Sequence, residues 1–169
     1  MLKSLLYSGP SLEVLHEQYA KRDGVDAVAP VQAVTQVIID AAVEEVWRVL
    51  SDPTSWPRID PAVSQVNLPA GVTVDAPFTW TNGKAKIASR FAVVDPRRQL
   101  TWTGVSFGAK AVHRHVLSRR QDDSSALTVT ESMSGPLLGL FMNSRKLQAA
   151  VNRWAEGIRR VAESQASRA

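Results

Sequence analysis

The chain has no cysteine. Disulfide staples and thiolate metal sites are therefore excluded, and a reducing compartment is the natural one. Long apolar runs are missing too. No segment approaches the ~20 residues that a membrane-spanning helix needs, and the opening Met1-Leu2-Lys3-Ser4-Leu5-Leu6-Tyr7-Ser8-Gly9-Pro10 has one base but no apolar stretch of signal-peptide length. The expectation is a cytoplasmic protein without stable membrane insertion. Also absent is a concentrated run of one charge. The formal net charge is +4, yet Arg97-Arg98, Arg119-Arg120 and Arg159-Arg160 are scattered, with acidic neighbours and no interleaved aromatics, so no nucleic-acid partner is expected.

What is present is apolar content of 44% over 169 residues, enough for one domain with a sizeable core. The last long helix organises the rest and is expected at about 136–163. Leu140, Leu147, Val151, Trp154, Ile158 and Val161 form an apolar stripe, and Ser134-Gly135-Pro136 reads as its start. At ~1.5 Å per residue such a helix runs roughly 40 Å and needs a large apolar partner surface. Residues 1–29 read as an extension. Ser11 caps a short helix carrying Leu12, Leu15 and Tyr19, Asp23-Gly24 ends it, and the extension packs either on the domain formed by 30–169 or on a second copy in a homodimer.

The middle supplies the partner surface. A strand at 32–39 precedes a short amphipathic helix carrying Val43, Val46, Trp47 and Leu50, which stops at Asp52-Pro53, and then a helical turn through Trp56-Pro57. Strands follow near 63–68, 78–81, 84–94, 100–106, 110–118 and 127–133, with Asn82-Gly83 the clearest hairpin signal. About seven antiparallel strands and a terminal helix make an α+β layout in which a curved sheet wraps the helix.

At this point the residues resemble a known superfamily. Ile39-Asp40-Ala41-Ala42-Val43-Glu44-Glu45-Val46-Trp47-Arg48-Val49-Leu50-Ser51-Asp52 with Trp56-Pro57 is similar to the opening of START-like (Bet v 1-like, SRPBCC) proteins of the polyketide cyclase/dehydrase and lipid-transport kind. Val94-Asp95-Pro96-Arg97-Arg98, Leu100-Thr101-Trp102-Thr103-Gly104, Ala111-Val112-His113 and Thr130-Glu131-Ser132 with Gly135 match in order and spacing. The resemblance implies a helix-grip fold enclosing an apolar cavity, and it does not imply one reaction.

Strand alternation then assigns the walls. Phe78 and Trp80 face in; Ile87, Ser89, Phe91 and Val93 share a face; Leu100, Trp102, Gly104 and Ser106 line the next strand. Leu117 selects the face of His113 and His115, and Leu127 and Val129 that of Glu131 and Met133. The candidate ligand-binding set is Trp56, Phe78, Trp80, Ile87, Phe91, Trp102, His113, His115, Glu131, Met133, Phe141 and Trp154, with His113 and Glu131 as a polar or catalytic pair across adjacent strands.

Gly104-Val105-Ser106-Phe107-Gly108 spells a nucleophile elbow, but strand-like sequence follows it where a helix is required, and the order of histidines and acids is wrong for a serine hydrolase. His113, His115 and Glu131 would suit a two-His, one-carboxylate ion site. The superfamily match accounts for His113 and Glu131 without an ion, so neither metal nor cofactor is expected. Three functional classes remain: binding, transport or sequestration of a small hydrophobic or amphipathic molecule, which is favoured; a cyclase or dehydratase using His113 and Glu131 as acid and base; and a self-associating module with a vestigial cavity.

Overall fold

Seven strands, each antiparallel to its neighbours, make one curved sheet in the order β1-β7-β6-β5-β4-β3-β2. The computed structural model describes residues 7–168. The strands are β1 (Val31–Ile39), β2 (Val63–Asn67), β3 (Pro77–Asn82), β4 (Ala85–Asp95), β5 (Gln99–Ser106), β6 (Ala109–Arg119) and β7 (Ser125–Ser134); the helices are α1 (Leu12–Val14), α2 (Val43–Leu50) and α3 (Ser144–Ala166). From β2 to β7 each strand turns back beside its predecessor, whereas the chain between β1 and β2 leaves the sheet through α2 and a 3-10 turn, Pro53–Arg58. That detour leaves β1 to close the far edge against β7. The layout is the helix-grip architecture, with α3 held in the concave face.

The long helix begins later than the apolar pattern suggests. Leu137 takes a left-handed backbone (φ 62°), a 3-10 turn at Leu138–Leu140 follows, and the helix starts at Ser144, where Asn143 Oδ1 accepts the Lys146 N–H at 2.9 Å. Its 23 residues span roughly 34 Å. Leu140, assigned to the stripe by its spacing, is outside the helix and 69% exposed, while Leu138 is the buried anchor of the turn. Pro136 and the left-handed Leu137 break the register before a helical hydrogen bond can form.

Two contacts lock α3 in place. At Gly157 a Cβ would lie 2.2 Å from the Ile59 carbonyl oxygen, so the chain after the 3-10 turn rests directly on the helix backbone. Along the other flank, α3 side chains complete the free edge of β1. Ser144 Oγ accepts the Gln32 N–H, Gln148 brackets Val34 by accepting its N–H and donating to its carbonyl, and Glu163 accepts the Asp40 N–H. At Gln32, Val34 and Asp40, edge groups that could pair with another chain are thereby satisfied within the chain.

The convex face is covered by the N-terminal segment. Ser11 Oγ caps α1, and the helical path continues as a π turn, Leu15–Tyr19, and a 3-10 turn, Ala20–Arg22, ending at the left-handed Asp23. Leu15 and Ala20 pack on Ala92 and Val112, on the opposite face of the sheet from the main core. This second layer explains why Thr101 and Thr103, which alternate with inward residues on β5, are as buried as those residues.

One phase assignment needs correction. A β-bulge between Phe91 and Val93 shifts the β4–β5 register, so Val94 packs on the core instead of Val93. Bulges insert a residue without leaving a mark on the alternation up to that point.

Candidate functional site

Between the concave face and α3 lies a cavity of about 430 Å³, within the usual small-molecule range of roughly 300–1,000 Å³. Of the residues expected on its walls, Trp80, Ile87, Trp102, His113, His115, Glu131, Met133, Phe141 and Trp154 line it. Trp56, Phe78 and Phe91 do not. They form an aromatic plug at the closed end: Phe78 stacks on Phe91 at 4.3 Å, and Trp56 meets Trp102 at 4.9 Å and Trp154 at 5.3 Å between ring centroids. Trp56 Nε1 also donates to the Leu50 carbonyl, fixing the indole inward. The gap that a curved sheet leaves under a helix is thus partly filled by Trp56 of the 3-10 turn with Phe78 and Phe91 of the sheet, and the three residues are core, not wall.

His113 and Glu131 stand directly opposite each other on β6 and β7. Nδ1 and Oε2 are 3.1 Å apart, with both side chains largely buried. This is ion-pair distance without the alignment of a hydrogen bond, and neither side chain is hydrogen-bonded elsewhere among the described residues. The His113 ring stacks on Trp102 at 5.2 Å, and Trp80 meets it edge-on. Trp80 is held by its own indole N–H, which donates to Ser89 Oγ. Gly104 keeps the wall flat there, since a Cβ would crowd Ser89 Oγ at 3.1 Å and Ile87 at 3.2 Å.

His115 is different. It stacks on the same Trp102 at 4.7 Å, and its Nε2 accepts the Trp154 indole N–H at 2.9 Å, which ties α3 to the sheet. An accepting Nε2 carries no proton, so the ring is neutral with its proton on Nδ1, which faces the Leu100 backbone without a well-aligned hydrogen bond. Burial, helped by His113, pushes the His115 pKa down to about 3 against the opposing pull of Leu100. His115 is therefore a neutral wall residue near pH 7. With its nitrogen turned to Trp154, the two-His, one-carboxylate arrangement does not assemble. The one grouping of described residues close enough to hold an ion is His16, Glu17 and Asp75 on the convex face, and there both imidazole nitrogens and the carboxylates already engage Thr103 and Lys21 or each other.

Three polar residues of the lining were not legible in the sequence. Asp60, just past the 3-10 turn, is buried and accepts the Ala62 N–H, with Arg153 Nε 3.8 Å from its other oxygen. Lys146, one turn into α3, donates to the Phe141 carbonyl. Lys146 and Arg153 sit seven residues apart, so they share a helical face with Ala150 and Trp154; the only sequence signal for them was that spacing. The apparent nucleophile elbow is a hairpin. Phe107 and Gly108 both have positive φ, 49° and 79°, as a two-residue primed turn requires, and Ser106 Oγ donates to the Lys86 carbonyl.

A family model described as polyketide cyclase/dehydrase and lipid transport matches residues 30–165. The chain belongs to this family. No curated protein matches it, but solved structures share its fold at low identity. A hypothetical protein from Helicobacter pylori is 13% identical with a TM-score of 0.73, over 81% of this chain and 90% of that one. A START superfamily protein from Mycobacterium smegmatis is 14% identical with a TM-score of 0.63, over 81% and 97%. DynU16, from the dynemicin biosynthetic locus, is 20% identical with a TM-score of 0.64, over 80% of this chain and 48% of that one. At these identities the likeness establishes the fold and leaves the ligand to the side chains.

Proposed function

We propose that the cavity binds a small hydrophobic or amphipathic molecule, for transport or sequestration, with one ligand hydroxyl or carbonyl set against His113 and Glu131. The observation that carries this is the hydrogen-bonding capacity the pair leaves unused on a sheet face lined mainly by aromatic and aliphatic side chains. The two side chains face each other and hydrogen-bond to no other described residue, so a polar ligand atom reaching them from a cavity of this size would find partners. The ligand class is tested by mass spectrometry of whatever copurifies, then by titrating the intrinsic tryptophan fluorescence with fatty acids and polycyclic phenols, since Trp80, Trp102 and Trp154 all touch the cavity. Saturable quenching, weakened about tenfold by His113→Gln or Glu131→Gln in a protein that still melts cooperatively, is the expected result. No response from either probe class, and nothing copurifying, would end the reading.

The contact between His113 and Glu131 favours one second reading, acid–base catalysis of an aldol-type cyclisation or dehydration. An imidazole can remove a proton while a neighbouring group protonates the departing oxygen. Turnover of a bound poly-β-ketone, lost in His113→Gln with binding retained, would establish it; binding without turnover in the wild type would remove it.

A further inference from the structure

Four bases with no acidic partner among the described residues collect at the end of the sheet where the cavity opens. The segments that build the cavity mouth are the β3–β4 hairpin, the β5–β6 hairpin, and the stretch from the end of β7 into α3. Residues 76–94 and 132–155 contain no aspartate or glutamate and carry Lys84, Lys86, Arg90, Arg145, Lys146 and Arg153, whereas most bases of 96–121 lie at the other end of β5 and β6 and Lys110 donates to the Pro10 carbonyl. Arg90, Arg119 and Arg153 are paired with Glu13, Glu44 and Asp60 from other segments. Lys84 and Lys86 at the first hairpin, and Arg145 and Lys146 at the start of α3, have no acidic partner among the described residues.

Large apolar side chains protrude at the same end. Phe107, on the β5–β6 turn, is 84% exposed, Leu140 69%, Leu137 55% and Phe141 52%. They form one patch, because the turn and the segment before α3 are in contact: a Cβ on Gly135 would lie 2.6 Å from the Gly108 carbonyl oxygen, and Pro136 lies beside Gly108. Phe107 and Phe141 also line the cavity, so the patch adjoins it. A soluble surface gains nothing from such a group of side chains, and exposed apolar patches of this kind mark interaction sites.

We propose that this end docks on an anionic membrane surface, with Phe107, Leu137 and Leu140 entering the headgroup boundary and Lys84, Lys86 and Arg145 facing the lipid phosphates and carboxylates. Apolar side chains with unpaired cations on neighbouring segments match a layer that is negative outside and apolar beneath. A polyanion such as nucleic acid would use the bases but has no use for protruding leucines. No described helix is long and apolar enough to cross a membrane; the attachment proposed is peripheral and reversible. It places the cavity opening against the lipid.

Flotation of the full chain with phosphatidylcholine vesicles, with and without phosphatidylserine, tests this without any cavity ligand, and its outcome is independent of the binding function proposed above. Binding is expected only to the phosphatidylserine vesicles, with loss at high salt. Removing cations one at a time (Lys84→Gln, Lys86→Gln, Arg145→Gln) should weaken it about fivefold each. The double change Phe107→Asn and Leu140→Ser should abolish flotation at low salt with the melting temperature unchanged; asparagine tolerates the left-handed turn position that Phe107 occupies. Absence of binding to anionic vesicles would overturn the proposal. So would flotation indifferent to the apolar double change, or equal retention of wild type and double variant on heparin and on vesicles, which would mark a general polyanion surface.

Discussion

The two faces of the sheet each bury histidines, and they treat them in opposite ways. On the convex side His16 is fully buried and both ring nitrogens are engaged, Nδ1 with Thr103 Oγ1 and Nε2 with Asp75 Oδ1, each at 2.9 Å. On the concave side His113 makes only its unaligned contact with Glu131, and both Trp102 Nε1 and His115 Nδ1 are buried without a partner. A polar group saturated by its own chain is holding structure together. One left short beside a cavity retains capacity for something else, and that asymmetry separates the cover from the candidate site.

The largest expected effect comes from stripping the cover. Leu15→Ala should cost about 2–5 kcal/mol in denaturant unfolding, because Leu15 is 1% exposed between Ala92 and Val112, while cavity titrations of the folded protein stay unchanged. A loss well below that range would mean the segment merely lies on the sheet. Next, His16→Ala should cost about 1–3 kcal/mol by orphaning Thr103 Oγ1 inside the cover, again with ligand affinity intact.

Acid should weaken both faces. Burial lowers the pKa of His16, opposed by its hydrogen bond to Asp75 and helped by Arg90 and Lys21, and burial lowers that of His115. A folded-state pKa below the unfolded value near 6.5 means that the unfolded chain takes up the proton first. The stability is fully present above that pH and is lost as pH falls below it. Between pH 7 and 5.5, His115→Phe should be less acid-sensitive than wild type by on the order of 1 kcal/mol, read as the difference in unfolding midpoints; equal sensitivity would show that His115 is protonated in the folded state. The smallest stability effect is expected from His113→Gln, under about 1 kcal/mol, since no aligned hydrogen bond is lost. A cost as large as that of His16→Ala would erase the contrast between the faces.

Much of the site was legible because strand alternation and hairpin pairing are local. Leu117 and Leu127 set the phases of β6 and β7, and the tight return between them sets His113 against Glu131. The same reasoning failed where a local pattern was interrupted. The bulge after Phe91 moved the inward position from Val93 to Val94, and the left-handed Leu137 delayed a helix whose apolar spacing suggested an earlier start.

By itself the sequence determined the order of elements, the facing of most strands and the pairing of the polar residues, since periodicity is a property of each segment and its turns. How far the cavity extends was settled by packing in three dimensions: Trp56, Phe78 and Phe91 fill one part of the gap together, which strand alternation does not show. The tertiary structure also brought together Lys84, Lys86, Arg145 and Lys146, which belong to separate hairpin and helix segments, beside the exposed side chains of Phe107, Leu137 and Leu140.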